Sequence, residues 1–193
     1  ARRAGSRDHL RHAAPYPLLP RYPRQGVRPS LAGALGHRST AEGLRAMTVQ
    51  PIPQGYGAIT PYLIVADAAA LIDFLKAAFG AEEVCRVARP DGGLMHAQVR
   101  IGDSIVMMSG ASTECPAMPA GLYLYVEDAD ATYKQALAAG AESVMAPSDE
   151  FWGDRMGGVR DPAGNFWWIA THIEDVGDDE LARRAAAAMP ASA

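Results

Sequence analysis

The feature of this sequence that most limits its possible folds is an internal repeat. Residues 62–70 align with residues 123–131 at an offset of 61, and six of the nine aligned positions are identical. A second block, 80–84 with 140–144, and a later Val-Arg pair follow in the same order at an offset of 60. Three matching blocks in one order predict two copies of one supersecondary unit of about 50–60 residues.

Each copy shows the same order of secondary-structure signals. An alternating run, 59–65 in the first copy and 122–126 in the second, predicts a strand. Asp67 and Asp128 close these runs, and each stands at the N-cap position of an alanine-rich helical pattern that a glycine ends. Three more strands are predicted in each copy, at 84–88, 95–101 and 104–109 and at 143–146, 155–160 and 166–172. Both copies therefore predict a β-α-β-β-β unit, and acidic residues from Asp178 predict a closing helix.

The first 46 residues differ in composition from the rest. They hold nine Arg, two acidic residues and five Pro, a net charge of +7, whereas residues 47–193 carry nine basic and twenty acidic residues, a net of -11. We expect 1–46 to be a disordered extension because it has no apolar periodicity. The alternatives are a basic arm for nucleic acid or an acidic surface, a transit peptide and a translated extension ahead of Met47. The abrupt change at Met47 favours the last. The acidic remainder predicts no nucleic-acid binding.

Hydropathy and cysteine content exclude further classes. Hydrophobic residues make up 49% and charged residues 21% of the chain, close to ordinary globular proteins. No stretch approaches the ~20 apolar residues that a membrane-spanning helix needs, so we expect no membrane partner. Cys85 and Cys115 have no disulfide or metal-binding spacing, which indicates a cytoplasmic protein.

Several motifs together resemble one known superfamily. A tandem β-α-β-β-β pair with Asp-Pro-x-Gly-Asn before its last strand (161–165) resembles the vicinal oxygen chelate superfamily, which includes glyoxalase I, bleomycin-resistance proteins, fosfomycin-resistance enzymes and extradiol dioxygenases. Thr-Pro-Tyr-Leu-Ile-Val (60–65), Met-His-Ala (95–97) and Phe-Trp-Gly-Asp-Arg (151–155) resemble its PhnB-like branch in particular. The resemblance covers residues 56–176.

The resemblance implies an α+β fold and a domain organisation. Tandem βαβββ modules at 56–112 and 119–176 would form a curled mixed sheet around a central cleft, within a glyoxalase/bleomycin-resistance-like domain at 47–177. A C-terminal helix and tail would occupy 178–193. The resemblance also implies a homodimer, because the cleft in this superfamily is usually completed by dimerisation.

The resemblance locates the positions where metal-dependent members carry His and Glu ligands, on the first and last strands of each module. The corresponding residues here are Thr60, Gly121 and Trp168, with Val106 or Met108 in the first module. None of these side chains is a good ligand. We therefore expect no metal site and no cofactor.

Strand parity predicts which side chains line the cleft. In 95–101, apolar residues alternate with His96, Gln98 and Arg100, and the apolar row should face the helix. The same parity places Phe166 in the cleft and turns Trp167 outward. The ligand-binding residues expected from parity and from the 151–155 loop are Tyr62, His96, Gln98, Tyr123, Tyr125, Trp152, Arg155 and Trp168.

These residues favour a metal-independent protein that holds a small planar molecule between aromatic rings. The alternative is a lyase, isomerase or dioxygenase with a displaced metal site formed by His96 and a carboxylate such as Glu127 or Glu174. A third possibility is metal-free acid/base catalysis by His96, the candidate catalytic residue. His172 ends the last strand and is expected to be a surface or hinge residue.

Overall fold

The computed structural model describes residues 49–188, so the predicted 1–46 extension lies outside the described residues. None of the helices in this range is long and apolar enough to cross a membrane. The elements in chain order are β1 (Tyr62–Val65), α1 (Ala68–Phe79), β2 (Glu82–Ala88), β3 (Leu94–Ile101), β4 (Ser104–Gly110), β5 (Gly121–Tyr125), α2 (Ala129–Ala138), β6 (Glu142–Asp149), β7 (Asp154–Arg160), β8 (Phe166–His172) and α3 (Asp178–Ala188).

Each module builds its own four-stranded mixed sheet. The strand orders are β1-β4-β3-β2 in the first sheet and β5-β8-β7-β6 in the second. In both sheets the first strand runs parallel to the last strand of the module, and the other pairs are antiparallel. The shared topology confirms the predicted α+β fold of tandem βαβββ modules.

The predicted aspartate caps start both module helices. The Asp67 carboxylate accepts hydrogen bonds from the backbone N–H groups of Ala69 and Ala70, both at 3.0 Å. The Asp128 carboxylate accepts one from Ala131 at 2.9 Å. These bonds satisfy N–H groups that have no partner within the helix.

One hydrophobic core lies between the helices and the sheets. Ala97 and Val99 on β3 are 0% exposed within it, as strand parity predicts. Phe79 at the end of α1 packs on Trp167 of β8 with ring centroids 4.9 Å apart, and Trp167 is 2% exposed. This contact joins the two modules, and it confirms that Trp167 packs on the helix side rather than in the cleft.

The Asp-Pro-x-Gly-Asn motif is a structural device at the turn between β7 and β8. Asp161 accepts hydrogen bonds from the backbone N–H groups of Ala163 and Asn165, from the Asn165 amide and from the Trp167 indole, each at 2.9 Å. The side-chain Oδ1 of Asn165 in turn accepts a hydrogen bond from the backbone N–H of Ala120 at 3.1 Å. The motif therefore fixes the turn, Trp167 and the entry to β5 together.

Candidate functional site

Each sheet has one face covered by helices and an opposite face, here termed the open face. On the second sheet the open face carries Tyr123 and Tyr125 from β5, which are 44% and 62% exposed. Trp168 is the register partner of Tyr123 on β8, and Ala170 is the partner of Tyr125. Exposed aromatic side chains on neighbouring strands are typical of a binding surface.

A buried carboxylate organises this face. Asp154 is 2% exposed, and its Oδ2 accepts hydrogen bonds from the hydroxyls of Tyr123 at 2.7 Å and Tyr125 at 3.0 Å and from the Trp152 indole N–H at 3.2 Å. Its Oδ1 lies 2.9 Å from His172 Nδ1. These five residues are termed the Asp154 cluster. Three aromatic side chains thus meet at one oxygen atom, which fixes their orientation.

The local backbone explains how this cluster forms. Asp154 is the first residue of β7 and pairs across the ladder with His172 of β8. Gly153 before it has φ 97°, and its carbonyl accepts the N–H groups of Ile173 and Glu174. A Cβ at position 153 would lie 2.1 Å from the Glu174 carbonyl oxygen, so only glycine fits at this turn.

Hydrogen bonding sets the charge of the cluster. Burial alone raises the pKa of Asp154, but hydrogen bonds from His172, Tyr123, Tyr125 and Trp152 outweigh it, and the pKa is lowered. Burial and the bond to Asp154 raise the pKa of Tyr123, and the bond to Asp154 raises that of Tyr125. The carboxylate is therefore ionised while both phenols keep their protons.

His172 lies between two carboxylates. Its Nδ1 bonds to Asp154 and its Nε2 lies 3.0 Å from Asp175 Oδ1. These bonds, first the one to Asp154 and then the one to Asp175, raise the pKa of His172. The exposed position expected for His172 is confirmed, since about half of its side chain is exposed. Sequence reasoning missed its place in the cluster.

Trp168 lies against the backbone of β7. Its register partner there is Gly158, and a Cβ at position 158 would approach the Trp168 ring to 2.5 Å. A side chain at position 158 would therefore displace the ring, so Gly158 makes room for Trp168.

The expected residues of the first module form a separate group on the first sheet. Gln98 Nε2 lies 2.8 Å from His96 Nε2, and the Tyr62 and His96 rings are 5.9 Å apart. Tyr56, which sequence reasoning did not select, donates its hydroxyl hydrogen bond to Gln98 Oε1. His96 is 7% exposed, and burial lowers its pKa. Tyr62, His96 and Gln98 are thus brought together, apart from the Asp154 cluster.

Arg155, expected to bind ligand at the cleft, is held in ion pairs with two aspartates. Its guanidinium bonds to Asp130 on α2, with Nη2 at 2.8 Å from Oδ1, and to Asp149, with Nη1 at 2.8 Å. Because β7 begins at Asp154, successive side chains alternate between its faces. Asp154 therefore lies on the open face and Arg155 on the helix-covered face.

Comparisons with known proteins place this architecture in a family. The sequence model of the Glyoxalase/Bleomycin resistance protein/Dioxygenase superfamily matches residues 56–169. The chain belongs to this superfamily. An uncharacterized protein of Mycobacterium bovis is 40% identical over 147 residues, covering 70% of this chain and 93% of the relative.

Solved structures show the same fold. TioX from Micromonospora sp. ML1 is 27% identical with a TM-score of 0.53, covering 61% of this chain and 99% of TioX. A glyoxalase/bleomycin resistance protein/dioxygenase family enzyme from Burkholderia phytofirmans is 19% identical with a TM-score of 0.50, covering 59% of this chain and 97% of that enzyme. At this identity the likeness to the Burkholderia enzyme concerns the fold alone.

The residues at the superfamily's metal positions do not fit a metal ion. Val106 and Met108, the residues expected in the first module, are 4% and 0% exposed in the helix-side core. The residue of β4 equivalent to Trp168 is Met107, since it pairs with Tyr62 as Trp168 pairs with Tyr123. Trp168 itself is held against Gly158. Thr60 and Gly121 offer a single hydroxyl between them. Within residues 49–188, no three His, Cys, Asp or Glu side chains are grouped as a metal site would require.

A groove of about 970 Å³ runs beside β5. Tyr123 and Tyr125 contribute to its wall, together with Phe79 and Gly80 at the end of α1 and the turn between β3 and β4. The two tyrosines therefore belong both to the Asp154 cluster and to the wall of this groove. A cavity of this size accommodates a drug-sized molecule.

Proposed function

We propose that this superfamily member binds a small planar molecule on the open face of its second sheet, without needing a metal ion. The observation that carries the proposal is the convergence of Tyr123, Tyr125 and Trp152 on Oδ2 of the buried Asp154. Aromatic rings supply apolar contact area. Because the tyrosine hydroxyls and the indole N–H are already hydrogen-bonded, these side chains lose little conformational freedom when a ligand stacks on them.

Trp168 supplies the neighbouring ring of this surface. It is the register partner of Tyr123, so both rings belong to the same face of the sheet. Stacking on such rings does not depend on a charged or metal-bound ligand atom. The side chains at the superfamily's metal positions, described above, are poor metal ligands. This also supports a metal-independent site.

We also propose a homodimer in the cytoplasm. Tyr62 and Val87 on the first sheet are each 42% exposed, and Tyr125 on the second is 62% exposed. A second copy that covered the rims of both open faces would remove part of this apolar surface from water and leave the middle of the second sheet's open face to the ligand. The free thiols of Cys85 and Cys115 suit a reducing compartment. Light scattering at micromolar concentration tests the assembly, and a monomer would contradict it.

Binding of acridine, a neutral planar probe, tests the main proposal by calorimetry. Trp168→Ala and Trp152→Ala should each abolish binding, because they remove rings that the probe stacks on. Trp168→Phe is the matched control, since it keeps an aromatic ring at the same position and should retain binding. Wild-type affinity in both alanine variants would overturn the proposal, provided that circular dichroism shows them folded.

A second candidate function is metal-free acid/base catalysis at His172 rather than His96. His172 is half exposed and oriented by Asp154 at 2.9 Å. Its Nε2 can act as a general acid or base when a substrate displaces the exposed Asp175 from it. Glu174, an alternative partner in the sequence analysis, is instead bonded to Arg184 at 2.8 Å. Isomerase or lyase turnover that persists with chelator, survives His96→Gln and is lost in His172→Gln would support this function. Turnover that His172→Gln leaves unchanged would contradict it.

A further inference from the structure

We propose that the ligand of the Asp154 cluster is a planar organic cation or a planar molecule rich in N–H donors, and not an anion or a carbonyl compound. The inference rests on the proposed function above and adds the chemical class of the ligand. Its basis is the direction of the hydrogen bonds around Asp154 together with the charge of the same cluster.

The donors of the cluster are directed inward. The hydroxyls of Tyr123 and Tyr125 and the indole N–H of Trp152 all donate to Asp154 Oδ2. A phenol has one proton and two acceptor lone pairs, and an indole has a donor only. Once these protons are engaged, the two phenols present lone pairs and ring faces to a ligand. A ligand carbonyl or carboxylate would therefore find acceptors where it needs donors.

His172 does not change this conclusion. Its Nδ1 is bonded to Asp154 and its Nε2 to Asp175, so both ring nitrogens already have acceptors. An anionic ligand would have to displace one of these carboxylates to gain a donor. The cost of leaving a buried carboxylate without its partner is much larger than that of leaving a solvated one. Asp154 is the buried one, so its bond to His172 is the more costly to break. Asp175 is fully exposed, and an anion that displaced it from Nε2 would only exchange one solvated carboxylate for another, with little gain.

The charge of the cluster also favours a cation. The buried Asp154 and the exposed Asp175 beside the cluster share one basic partner, His172, which offsets at most one of their two negative charges. Among residues 49–188, no Lys or Arg forms an ion pair with either carboxylate. Arg155 is paired with Asp130 and Asp149 on the helix-covered face, so it does not offset this negative charge.

The ring geometry suits a flat cation. The centroids of Tyr123 and Tyr125 lie 5.1 Å apart with their planes at 51°, which leaves two differently oriented ring faces beside each other. A cation over the face of an aromatic ring is attracted by the ring quadrupole. A phenol that donates its proton to a carboxylate has a more electron-rich ring, which strengthens that attraction.

Three tricyclic probes of similar size and different charge test the inference. They are N-methylacridinium as the cation, acridine at mildly alkaline pH as the neutral molecule, and an acridine carboxylate as the anion. Calorimetry should give the cation about tenfold higher affinity than the neutral probe, the gain expected for a partly desolvated cation–π contact, and the anion the lowest. Affinity for the cation alone should fall as salt is added.

Asp154→Asn removes the central charge and should bring the cation and neutral probes within about twofold of each other. Glu83→Gln is the matched control, because it removes one negative charge from the first module, where Glu83 pairs with Lys76 and Arg86. It should leave the preference unchanged. The salt dependence of the wild-type protein keeps the inference testable if Asp154→Asn does not fold.

The outcomes separate this inference from the proposed function. Equal affinity for all three probes, or tighter binding of the anion, would overturn the cation preference but leave the aromatic site standing. A preference that survives Asp154→Asn would also overturn it. Binding of none of the probes would overturn both.

Discussion

Two buried aspartates each accept four hydrogen bonds, and their removal should have different consequences. Asp161 lies 4% exposed in the turn between β7 and β8. Three of its donor groups are buried, namely the N–H and the amide of Asn165 and the indole of Trp167. A buried donor left unsatisfied costs about 1–3 kcal/mol. Asp161→Ala should therefore lower the free energy of unfolding by at least about 3 kcal/mol, a large share of an ordinary domain's total.

Asp154→Ala should cost less stability although Asp154 is as deeply buried. Two of its donors belong to Tyr123 and Tyr125, whose side chains are 44% and 62% exposed, so water can replace the carboxylate as their acceptor. Each such bond contributes about 1 kcal/mol net, which gives a loss of about 1–3 kcal/mol for the variant. Acridine binding should nevertheless be lost, because the rings are no longer held in place.

Urea denaturation followed by far-UV circular dichroism checks this order of stability. The transition midpoint should fall most for Asp161→Ala, less for Asp154→Ala and within about 0.5 kcal/mol of wild type for Asp103→Ala. Asp103 is an exposed turn aspartate bonded to Ser104 and serves as control. Comparison requires a similar slope with urea in all three variants. If Asp154→Ala is the more destabilising variant, donor burial does not determine the cost.

Three further predictions concern the same face of the second sheet. Gly158→Ala should displace the Trp168 ring, lower stability by about 1–3 kcal/mol as overpacking does and shift the tryptophan emission; unchanged emission and midpoint would contradict the 2.5 Å approach. NMR titration should give His172 a pKa above the usual value for histidine. In Asp154→Asn the pKa of His172 should be lower than in the wild-type protein. Since a raised pKa stabilises the folded state at acidic pH, this contribution should disappear as pH rises through the folded-state pKa of His172, so the midpoint difference between wild type and His172→Gln should shrink at alkaline pH. Prolonged dialysis against chelator should leave acridine affinity unchanged, and a loss that zinc restores would show that a metal is needed.

Much of the fold could be predicted because its signals are local. Asp67 and Asp128 mark the helix starts by their own side-chain bonds, and Gly80 ends α1 with φ 64°. Strand parity predicts that Trp167 lies on the helix side, because parity depends only on neighbours in sequence, and the structure confirms it. Such features need no knowledge of what lies across the sheet, so the repeat and the order of elements along each module follow from the sequence.

The Asp154 cluster depends on contacts between distant residues and on one strand boundary. The alternating pattern predicts that β7 begins at residue 155, whereas the strand begins at Asp154. Counting back by twos from Val159, which is 0% exposed, places Arg155 on the helix side and Asp154 on the open face. That signal was present in the sequence. The bond to His172 depends on the register of β7 and β8, which no local pattern specifies.

The two modules share a backbone, and the difference between their open faces concentrates the binding chemistry in the second. In the first sheet, Tyr62 neighbours Met107 and then Gln98 across the ladder. In the second, Tyr123 neighbours Trp168 and then Gly158. Where the first module has Gln98, the second has Gly158. The missing side chain leaves the space that the Trp168 indole occupies.

The two modules also differ at the first residue of their third strand. Leu94, 6% exposed, begins β3 where Asp154 begins β7. A leucine at this place joins the hydrophobic core, whereas the aspartate draws the two tyrosines, Trp152 and His172 to one point. Because the two strands have the same place in their modules, the residue at this position determines whether aromatic side chains converge on a buried carboxylate. Introducing Leu at position 154 should accordingly remove the site while keeping the fold, since the first module shows that the fold accommodates leucine there.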